Sequence, residues 1–497
     1  MELDDLKSPL MRTLMERGFV KDCTDLVGLD REISKGFDRN DPTELVRAYV
    51  GFDLTAQSLH VGSMIPLMAA RHIRRAAVDA GHHTMGTAVW AVTVLFGDAT
   101  TRVGDPSDKN GARPILTEDA IASNLRGIRG CVDSVIGAAT GEAFNSAWLG
   151  RMSFMDFLTG PAREISLNRL VKTEVVARRL ENEMPMTLME LIYQAMQAMD
   201  FAHLAREKGI RLQIGGSDQW TNILAGVDLA RRMDDEEIFG LTLPLLTDAE
   251  GRKMGKTAGG TTVWLDPTMT SSFDLWQFWR NVPDQKVREF LGLFTDLPMD
   301  RVHELADGDV VEAKTVLATE AVSIAHGREV AEAAAAAARG TSSRTVAFDV
   351  ATLNGLPTVR CPVDPEVTVL TVAELTLHAG LAKSKGDARR LAAGGGLRFN
   401  GVLVEHADVK VERRDFDDGQ VILSAGRKRH VRVLPTELSP SRRPASTEVV
   451  ERADGGFDVM GLYRWGDGFE RDCIRSCLPD RAAADAVAAR VRLMEKE

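Results

Sequence analysis

A strand, a turn and a helix that follow one another near the N-terminus constrain the fold of this chain more than any other feature. Residues 45–50 are mostly apolar and predict a strand. An apolar-periodic helix follows over about 61–79, and Gly81 ends it. Residues 88–96 form an apolar, β-branched run that predicts a second buried strand. The order strand, helix, strand predicts a parallel βαβ unit.

The same alternation continues further along the chain. Thr117 marks the start of another helix, and Thr187 and Glu190 form a capping box that starts a third. Residues 211–214 predict a further strand. Together these elements predict an α/β fold with a doubly wound parallel sheet of the Rossmann-like kind.

The pattern changes after this α/β region. Residues 272–338 are helical in pattern, and residues 340–364 predict a linker with short extended pieces. The predicted organisation is a Rossmann-like domain over 1–265, a helical domain over 266–345, a linker over 346–368, a small α+β domain over 369–435 and a C-terminal extension of unassigned role over 436–497.

Composition agrees with a soluble protein of several domains. A chain of 497 residues exceeds what one hydrophobic core usually serves, so roughly two to four domains are expected. No apolar run is long enough to span a bilayer, and residues 3–19 mix acids and bases as an amphipathic helix does, unlike a signal peptide. We therefore expect a cytoplasmic protein with no membrane partner.

Cysteine content and net charge exclude two further classes. Five scattered cysteines cannot make a disulfide framework, and Cys473 and Cys477, spaced four apart on a possible helix, are better explained as packed thiols than as half of a metal site. We therefore predict no bound metal. The net charge of −11 argues against a protein that binds nucleic acid over a uniformly basic surface, although it allows a local basic module.

The helix after Thr187 carries a polar stripe. Tyr193, Gln197 and Asp200 lie at positions i, i+4 and i+7, so they project from one face of an otherwise apolar helix. Buried polar groups need partners. The stripe is either a hydrogen-bond network that fixes helix packing or the wall of a site for a polar small molecule, and the motifs described next favour the second interpretation.

Two motifs carry most of the functional information. The segment 51–63, GFDLTAQSLHVGS, joins the first strand to its helix, at a junction where free backbone N–H groups can meet phosphate. The segment 253–257, KMGKT, offers two lysines on a glycine-broken loop much later in the chain. Together they resemble the two signatures of a class I aminoacyl-tRNA synthetase. The residue sequence of the first resembles that of the bacterial tyrosyl-tRNA synthetases.

This resemblance implies a tyrosine site. The stripe residues Tyr193 and Gln197 match those that hold the α-amino group of the substrate, while Asp200 and Tyr49 match those that meet its phenol. The resemblance implies that phenylalanine is rejected because it would leave these last two residues unpaired. The implied tyrosine-binding residues are Tyr49, Asp105 of the GDPS turn, Tyr193, Gln197, Asp200 and Gln219.

The resemblance also implies ATP as a substrate, with Mg²⁺. The tyrosine carboxylate attacks the α-phosphorus of ATP, and tyrosine is then transferred from the adenylate to tRNA; because the nucleophile is already ionised, charge stabilisation must supply the rate. The implied catalytic residues are Thr55, His60, Lys109, Arg113, Lys253 and Lys256. The implied ATP-binding residues are Gly51, Asp53, His60, Ser63, Gly216, Asp218, Lys253 and Lys256.

The small C-terminal domain supplies a predicted RNA contact. Residues 381–402 combine a basic helical stretch, a glycine turn and an Asn-Gly hairpin signal, and they resemble the S4-type RNA-binding module of bacterial tyrosyl enzymes. A solvated charged face is the alternative. The residues placed against RNA phosphates are Lys383, Lys385, Arg389 and Arg390, with a second basic cluster at 427–429. The resemblance implies tRNA(Tyr) as partner, a helical domain on the tRNA anticodon side, and a homodimer.

Three positions depart from the family pattern. Ser63 replaces the second histidine of the first signature, Leu54 replaces a proline, and Asp98 stands where a glycine is expected. We expect altered contact with ATP at Ser63 and unfavourable charge near phosphate at Asp98. The open alternatives are a synthetase-derived RNA-binding or splicing factor, and an enzyme that adenylates tyrosine without charging tRNA.

Overall fold

The structure, a computed structural model, describes most of the chain. The described residues are 3–38, 46–80, 91–104, 116–137, 140–171, 173–184, 187–255, 261–342, 355–361, 370–411, 415–416, 420–426, 429–435, 446–451, 457–465 and 468–478. They form two units, Met1–Glu332 and Ala333–Glu497, and the boundary falls within a helix. In the described part of the chain, no helix combines the length and apolarity that crossing a bilayer requires.

The N-terminal unit is built on a six-stranded sheet. Its strands are β1 (Asp22–Cys23), β2 (Arg47–Asp53), β3 (Val92–Gly97), β4 (Gly141–Phe144), β5 (Ile210–Gly216) and β6 (Phe239–Leu243). The spatial order is β1-β6-β5-β2-β3-β4, and only the edge strand β1 runs antiparallel to its neighbour. The chain thus builds outward from β2 in one direction and then returns to its other side, as a doubly wound sheet requires.

Helices connect and cover these strands. They are α1 (Pro9–Glu16), α2 (Leu26–Asp38), α3 (Met64–Asp79), α4 (Glu118–Val135), α5 (Ser146–Leu149), α6 (Phe154–Thr159), α7 (Pro161–Glu164), α8 (Leu167–Leu170), α9 (Glu174–Glu181), α10 (Leu188–Lys208) and α11 (Trp220–Asp234). The predicted caps are confirmed: the Thr117 side chain accepts from the Ala120 N–H, and Thr187 and Glu190 form a reciprocal capping box.

A core on one side of the sheet fixes α10 against β2 and β5. Phe201 of α10 is fully buried and meets the ring of Tyr49 edge-on, with ring centroids 5.3 Å apart. Leu204 and Ile210 belong to the same buried cluster. Burying each such side chain contributes about 1.5 to 3 kcal/mol, so the polar stripe of α10 is held rigidly against the sheet.

The chain becomes helical after the sheet, as predicted. The helices are α12 (Ser272–Arg280), α13 (Val287–Phe294), α14 (Met299–Asp307), α15 (Val310–His326) and α16 (Arg328–Ser342), and the last contains the boundary between the units. Trp279 packs against Phe290 and Phe294, with ring centroids at 6.1 and 4.4 Å. This aromatic cluster joins α12 to α13.

The C-terminal unit contains a five-stranded sheet in the order β10-β9-β12-β13-β7. Its elements are β7 (Thr358–Cys361), β8 (Leu370–Thr371), α17 (Val372–His378), α18 (Lys385–Ala393), β9 (Leu397–Phe399), β10 (Val402–Leu403), β11 (Lys410–Val411), β12 (Val421–Ala425) and β13 (Arg429–Pro435). Strand β7 lies inside the predicted linker 346–368 but pairs with β13, so that segment contributes a strand to this sheet.

A separate three-stranded antiparallel sheet follows. Its strands are β14 (Ser446–Glu451), β15 (Phe457–Trp465) and β16 (Gly468–Leu478). Cys473 and Cys477 lie on β16, so the helix considered for them was wrong. Pairing with β15 fixes this segment as a strand, and two cysteines four residues apart carry no period that distinguishes strand from helix.

Candidate active site

The carboxyl ends of β2 and β5 meet at the point where the strand order reverses. In an open α/β sheet this is where ligands bind, because the loops leaving the two strands diverge there. Tyr49 of β2 is in register with Gln213 of β5, so the two residues lie side by side below this edge. Both were placed by sequence on strands that the structure confirms.

Two buried polar atoms at this position have no hydrogen-bond partner among the described residues. They are the Tyr49 hydroxyl and Gln213 Oε1. Tyr49 is 1% exposed and Gln213 is 4% exposed. An unpaired buried polar group costs about 1 to 3 kcal/mol. Such a cost is offset when a ligand supplies the missing partner. Sequence reasoning did not assign Gln213 to the site, although it placed this residue on the predicted strand 211–214.

Asp200 of α10 lies close enough to Tyr49 to affect it electrostatically. Asp200 is 2% exposed, and its carboxyl group accepts hydrogen bonds from Asn145 Nδ2 at 3.0 Å and from Trp148 Nε1 at 2.8 Å. Burial raises the pKa of Asp200 to about 8, against the opposing effect of these two hydrogen bonds. Burial, and then the charge of Asp200, raise the pKa of the Tyr49 phenol. The predicted pair Tyr49 and Asp200 therefore does come together.

A hydrogen-bond network extends from Asp200 to the end of β2. Asn145 also donates to Thr100 Oγ1 at 3.0 Å, and Thr100 donates to Asp53 at 2.7 Å. Tyr193 donates its hydroxyl proton to the other oxygen of Asp53 at 3.0 Å. The network thus connects the deep end of the site, at Asp200, with the sheet edge. Asn145 and its neighbour Trp148 were missed by sequence reasoning, because α5 carries no recognisable pattern.

The remaining stripe residue, Gln197, is part of a three-amide cluster. Gln197 Nε2 donates to Gln219 Oε1 at 3.3 Å, while Asn222 donates to Gln197 Oε1 and to Gln219 Oε1 at 3.0 and 3.1 Å. Asn222 belongs to α11, which begins just after Gln219. The predicted neighbours Gln197 and Gln219 are thus brought together, with Asn222 as an additional member.

The two signature segments are joined by a short extended stretch. The Gly255 carbonyl, at the lysine loop, accepts from the Val263 N–H at 2.9 Å, and the Val263 carbonyl accepts from the Val61 N–H at 3.0 Å. His60 forms an antiparallel bridge with Trp264, and Leu265 donates to Leu59 at 2.8 Å. Residues 261–265 therefore hold the two signatures side by side.

His60 is exposed at the turn that precedes α3. A short 3₁₀ turn, Val61–Ser63, leads from it into the helix. A Cβ on Gly62 would come within 2.8 Å of the His60 ring, so only glycine at this position leaves room for the imidazole as it is oriented. The loop before it is packed equally closely, since a Cβ on Gly127 of α4 would lie 1.8 Å from the Gln57 carbonyl oxygen.

Lys253 and Asp218 form an ion pair in the structure. Lys253 Nζ lies 3.0 Å from Asp218 Oδ2, and the two side chains are 56% and 28% exposed. Both residues were placed by sequence at the ATP end of the site, and the structure brings them together. The pair also locates the lysine loop next to the end of β5, which Gly216 terminates.

Two departures from the family pattern have a structural explanation. The Leu54 N–H, which a proline would lack, donates to Thr101 Oγ1 at 2.6 Å, and the Leu54 carbonyl accepts from Asn124 at 2.7 Å. Asp98 accepts from the Ser146 N–H and hydroxyl at 2.9 and 2.5 Å. Its carboxylate is thereby engaged at the start of α5.

The other predicted site residues divide into two groups. Gly51 is exposed near the end of β2, and between β2 and α3 Thr55 is exposed and Ser63 is partly exposed. Asp105, Lys109, Arg113 and Lys256 lie outside the described residues.

In the C-terminal unit, most of the predicted RNA-binding residues lie on α18 and already have acidic partners. Lys385 pairs with Glu374 at 3.0 Å, Arg389 with Asp408 at 2.9 Å and Arg390 with Asp387 at 3.5 Å. Lys383 precedes the helix, and its backbone N–H donates to Asp387. In the second basic cluster, the Arg429 guanidinium donates to the carbonyls of Gly380 and Leu381.

Comparison with known proteins identifies the family of this chain. Residues 41–341 match the family described as tRNA synthetases class I (W and Y). The chain is 42% identical to the tyrosine–tRNA ligase of Rhodospirillum rubrum over 439 residues, which is 86% of this chain and 99% of that protein. This chain belongs to the class I tyrosyl-tRNA synthetases. The ligase of Zymomonas mobilis is 39% identical over 86% of the chain and 98% of its own length.

Solved structures give the same result for the fold. A C-terminally truncated mitochondrial tyrosyl-tRNA synthetase from Aspergillus nidulans superimposes with a TM-score of 0.57 at 26% identity, covering 67% of this chain and 94% of that one. The corresponding protein from Coccidioides posadasii gives a TM-score of 0.54 at 27% identity, over 66% of this chain and 91% of its own. The doubly wound class I fold predicted from sequence is therefore confirmed.

Proposed function

We propose that this synthetase activates L-tyrosine with ATP and transfers it to tRNA(Tyr), using the residues gathered at the ends of β2 and β5. One observation supports the choice of tyrosine most strongly. The Tyr49 hydroxyl and Gln213 Oε1 are buried without a partner among the described residues, beside the carboxyl of Asp200. A phenol O–H can both donate and accept, so it can satisfy this group in a way that a phenylalanine ring cannot.

The amino end of tyrosine is assigned to the opposite side of the same site. Tyr193 and Gln197 lie on the face of α10 that carries Asp200, toward the edge where Asp53 and Gln219 lie. We assign Tyr193, Gln197, Gln219 and Asp105 to the α-amino and carboxylate groups.

The nucleotide is assigned to the exposed turns above the sheet. His60 and Lys253 lie on segments that residues 261–265 hold together, and each can stabilise charge that develops on the phosphates. Thr55, Lys109, Arg113 and Lys256 complete the proposed set of phosphate donors. Gly51, Asp53, Ser63, Gly216 and Asp218 are assigned to the adenosine.

Binding of ATP at this position requires a rearrangement of one ion pair. Lys253 is neutralised by Asp218 at 3.0 Å, so it must leave that carboxylate to reach the phosphates. Release of Lys253 would also free Asp218 to accept from the ribose hydroxyls. The pair is exposed enough for this exchange to cost little.

Mg²⁺ fits this site as an ion carried by the ATP phosphates. In the described part of the chain, no three His, Cys, Asp or Glu side chains are grouped as metal ligands. Mg²⁺ usually keeps several waters and is held largely by substrate phosphates, so such a group is not required. When bound, it neutralises charge on the leaving pyrophosphate.

The C-terminal unit is assigned to tRNA. We propose that residues 369–435 form an S4-like RNA-binding module in which Lys383, Lys385, Arg389 and Arg390 contact phosphates. Helices between 266 and 345 are assigned to the anticodon side of the tRNA, residues 346–368 to a connection, and no role is assigned to 436–497. Cytoplasm is the proposed location.

A homodimer is proposed from an exposed apolar surface. Large apolar side chains that are exposed concentrate between residues 154 and 189, including Phe154 and Leu188, each 70% exposed. A second copy is the partner that the family implies, and it could cover these side chains. Sedimentation of the wild type and of a Phe154→Glu, Leu188→Glu variant tests it: a monomeric wild type would contradict the proposal.

ATP–pyrophosphate exchange with each of the twenty amino acids tests the proposed activity. Tyrosine should support exchange, and phenylalanine and tryptophan should not. Exchange with tryptophan instead of tyrosine would contradict the assignment of Tyr49, Gln213 and Asp200.

A further inference from the structure

His326, the last residue of α15, is held at both nitrogens of its imidazole. Nε2 lies 2.6 Å from the Leu265 carbonyl oxygen, and Nδ1 lies 2.8 Å from the hydroxyl of Ser272, the first residue of α12. A carbonyl can only accept, so Nε2 carries the proton and Nδ1 accepts from the Ser272 hydroxyl. Burial lowers the pKa of His326, which keeps the ring neutral at pH 7 and preserves this arrangement.

The carbonyl that His326 binds belongs to the stretch between the two signatures. The Leu265 N–H donates to Leu59 at 2.8 Å, directly before His60, and Trp264 forms the bridge to His60 itself. Two residues earlier, Val263 donates to Gly255 at the lysine loop. A displacement of Leu265 would therefore move the His60 turn relative to the lysine loop.

We propose that His326 is a positioning residue for adenylate formation, which it supports by anchoring the Leu265 carbonyl and thereby the relative position of His60 and the lysine loop. This inference rests on the proposed function, because both signatures are assigned to the ATP phosphates. Misplacing reacting groups by about 1 Å can lower a rate by about 100-fold, so an anchor outside the site can have a large kinetic effect. The hydrogen bonds described for Leu265 run to Leu59 and His326, so the amino-acid end of the site, at Tyr49 and Asp200, should be affected little.

Two substitutions distinguish the contributions of the two imidazole nitrogens of His326. In His326→Gln, the side-chain amide reaches the position of Nε2 and can still donate to the Leu265 carbonyl. In His326→Asn, the shorter amide reaches only the position of Nδ1, so the donor to Leu265 is lost. His303→Gln is the matched control, because His303 is an exposed histidine on the neighbouring helix α14.

The experiment measures single-turnover adenylate formation and tyrosine affinity in the full-length proteins, with rates expressed per tyrosine-binding site. His326→Asn should form the adenylate at least tenfold more slowly while its tyrosine Kd stays within twofold of wild type. His326→Gln should retain at least a third of the wild-type rate, and His303→Gln should match wild type.

Several results would overturn the inference while leaving the proposed function intact. They are a wild-type rate in His326→Asn, an equal loss of rate in the Asn and Gln variants, or a loss of tyrosine affinity that parallels the loss of rate. If His326→Asn yields no tyrosine-binding protein, Ser272→Ala supplies the test: it should lower the rate about threefold, and an unchanged rate would overturn the inference. Failure of the wild type itself to form an adenylate would instead contradict the proposed function.

Discussion

Tyr49, Gln213 and Asp200 form the most specific part of the site. A chain that buries two unpaired polar atoms and a carboxyl together gives up stability, at about 1 to 3 kcal/mol for each unpaired group. Apolar side chains of similar size would fill the same space without this cost. A ligand that pairs with them gives the arrangement a function.

Substitution of this group should change the choice between tyrosine and phenylalanine. For Asp200→Ala and Tyr49→Phe, the ratio of kcat/KM for tyrosine to that for phenylalanine should fall roughly tenfold or more, which corresponds to about 1.4 kcal/mol. The KM for ATP should stay within about twofold of wild type, because Asp200 and Tyr49 are not among the residues that we assign to the nucleotide.

Tyr193→Phe is the matched control for that experiment. It removes the hydroxyl that donates to Asp53, at the end of the site assigned to the amino group. It should weaken activation of tyrosine and phenylalanine alike and leave their ratio unchanged. An unchanged ratio in Asp200→Ala would contradict the assignment of the phenol site.

The raised pKa of Asp200 predicts a pH-dependent stability. In the folded protein the carboxyl has a pKa of about 8, against 3.8 for an ordinary aspartate. Between these values the folded state holds a proton that the unfolded state has lost, so the stabilising contribution is complete below about pH 4 and is lost as pH rises toward 8, at about 1.4 kcal/mol per pH unit.

Urea unfolding of the wild type and of Asp200→Asn at pH 5 and pH 7 measures this effect. Asparagine does not titrate, so the free energy of unfolding of the wild type should fall relative to the variant by about 2 to 3 kcal/mol between the two pH values. A constant difference would show that Asp200 is already ionised in the empty protein at pH 5.

Among the larger elements, the lysine loop is one whose contacts change in the proposed reaction. Lys253 is paired with Asp218 before ATP binds, and if it meets pyrophosphate chiefly as charge develops, Lys253→Ala should slow adenylate formation roughly 100-fold. Tyrosine affinity should remain within about twofold, because Lys253 is not among the residues that we assign to tyrosine.

Pre-steady-state adenylate formation, with tyrosine binding measured separately, provides the comparison. Lys35→Ala is a suitable control, because Lys35 is an exposed lysine of α2 that is also paired with a carboxylate, that of Glu32. A Lys253→Ala variant with an unaltered forward rate would mean that the loop is only an exposed turn.

Helix α18 should contribute to tRNA affinity unequally along its length. Arg389 is paired with Asp408 through two nitrogens, whereas the Arg390 side chain is 75% exposed and lies 3.5 Å from Asp387. Arg390→Ala should therefore raise the KM for tRNA more than Arg389→Ala does, and it should reduce the salt dependence of binding by roughly 0.7 to 0.9 in the log–log slope.

Aminoacylation kinetics at several salt concentrations, with ATP–pyrophosphate exchange as the control, test this prediction. Exchange should be unchanged in both variants, because adenylate formation does not involve tRNA. An unchanged KM for tRNA in a double variant of Arg389 and Arg390 would mean that α18 is a solvated charged face.

Over the whole molecule, sequence predicted the elements whose signals are local. The capping box of Thr187 and Glu190 and the stripe of α10 need only helical periodicity, and both are present in the structure. The alternation of strands and helices likewise predicted the doubly wound sheet. The two signatures predicted the family, because their residue types and order are specific.

What sequence did not predict depends on pairing between distant segments. Asn145 and Trp148 reach Asp200 only because β4 ends beside β3 in the sheet, and Gln213 faces Tyr49 only because β5 returns to β2. Strand β7 is recognised by its pairing with β13, more than sixty positions later in the chain. No short pattern encodes such neighbours.

The most direct test of the account is aminoacylation of tRNA(Tyr) by the full-length wild type, supplied with tyrosine, phenylalanine or tryptophan and with ATP. The account predicts that tyrosine alone is transferred to the tRNA, with release of AMP and pyrophosphate. A protein that binds tRNA(Tyr) but charges it with none of the three, or that forms an adenylate without transfer, would contradict it.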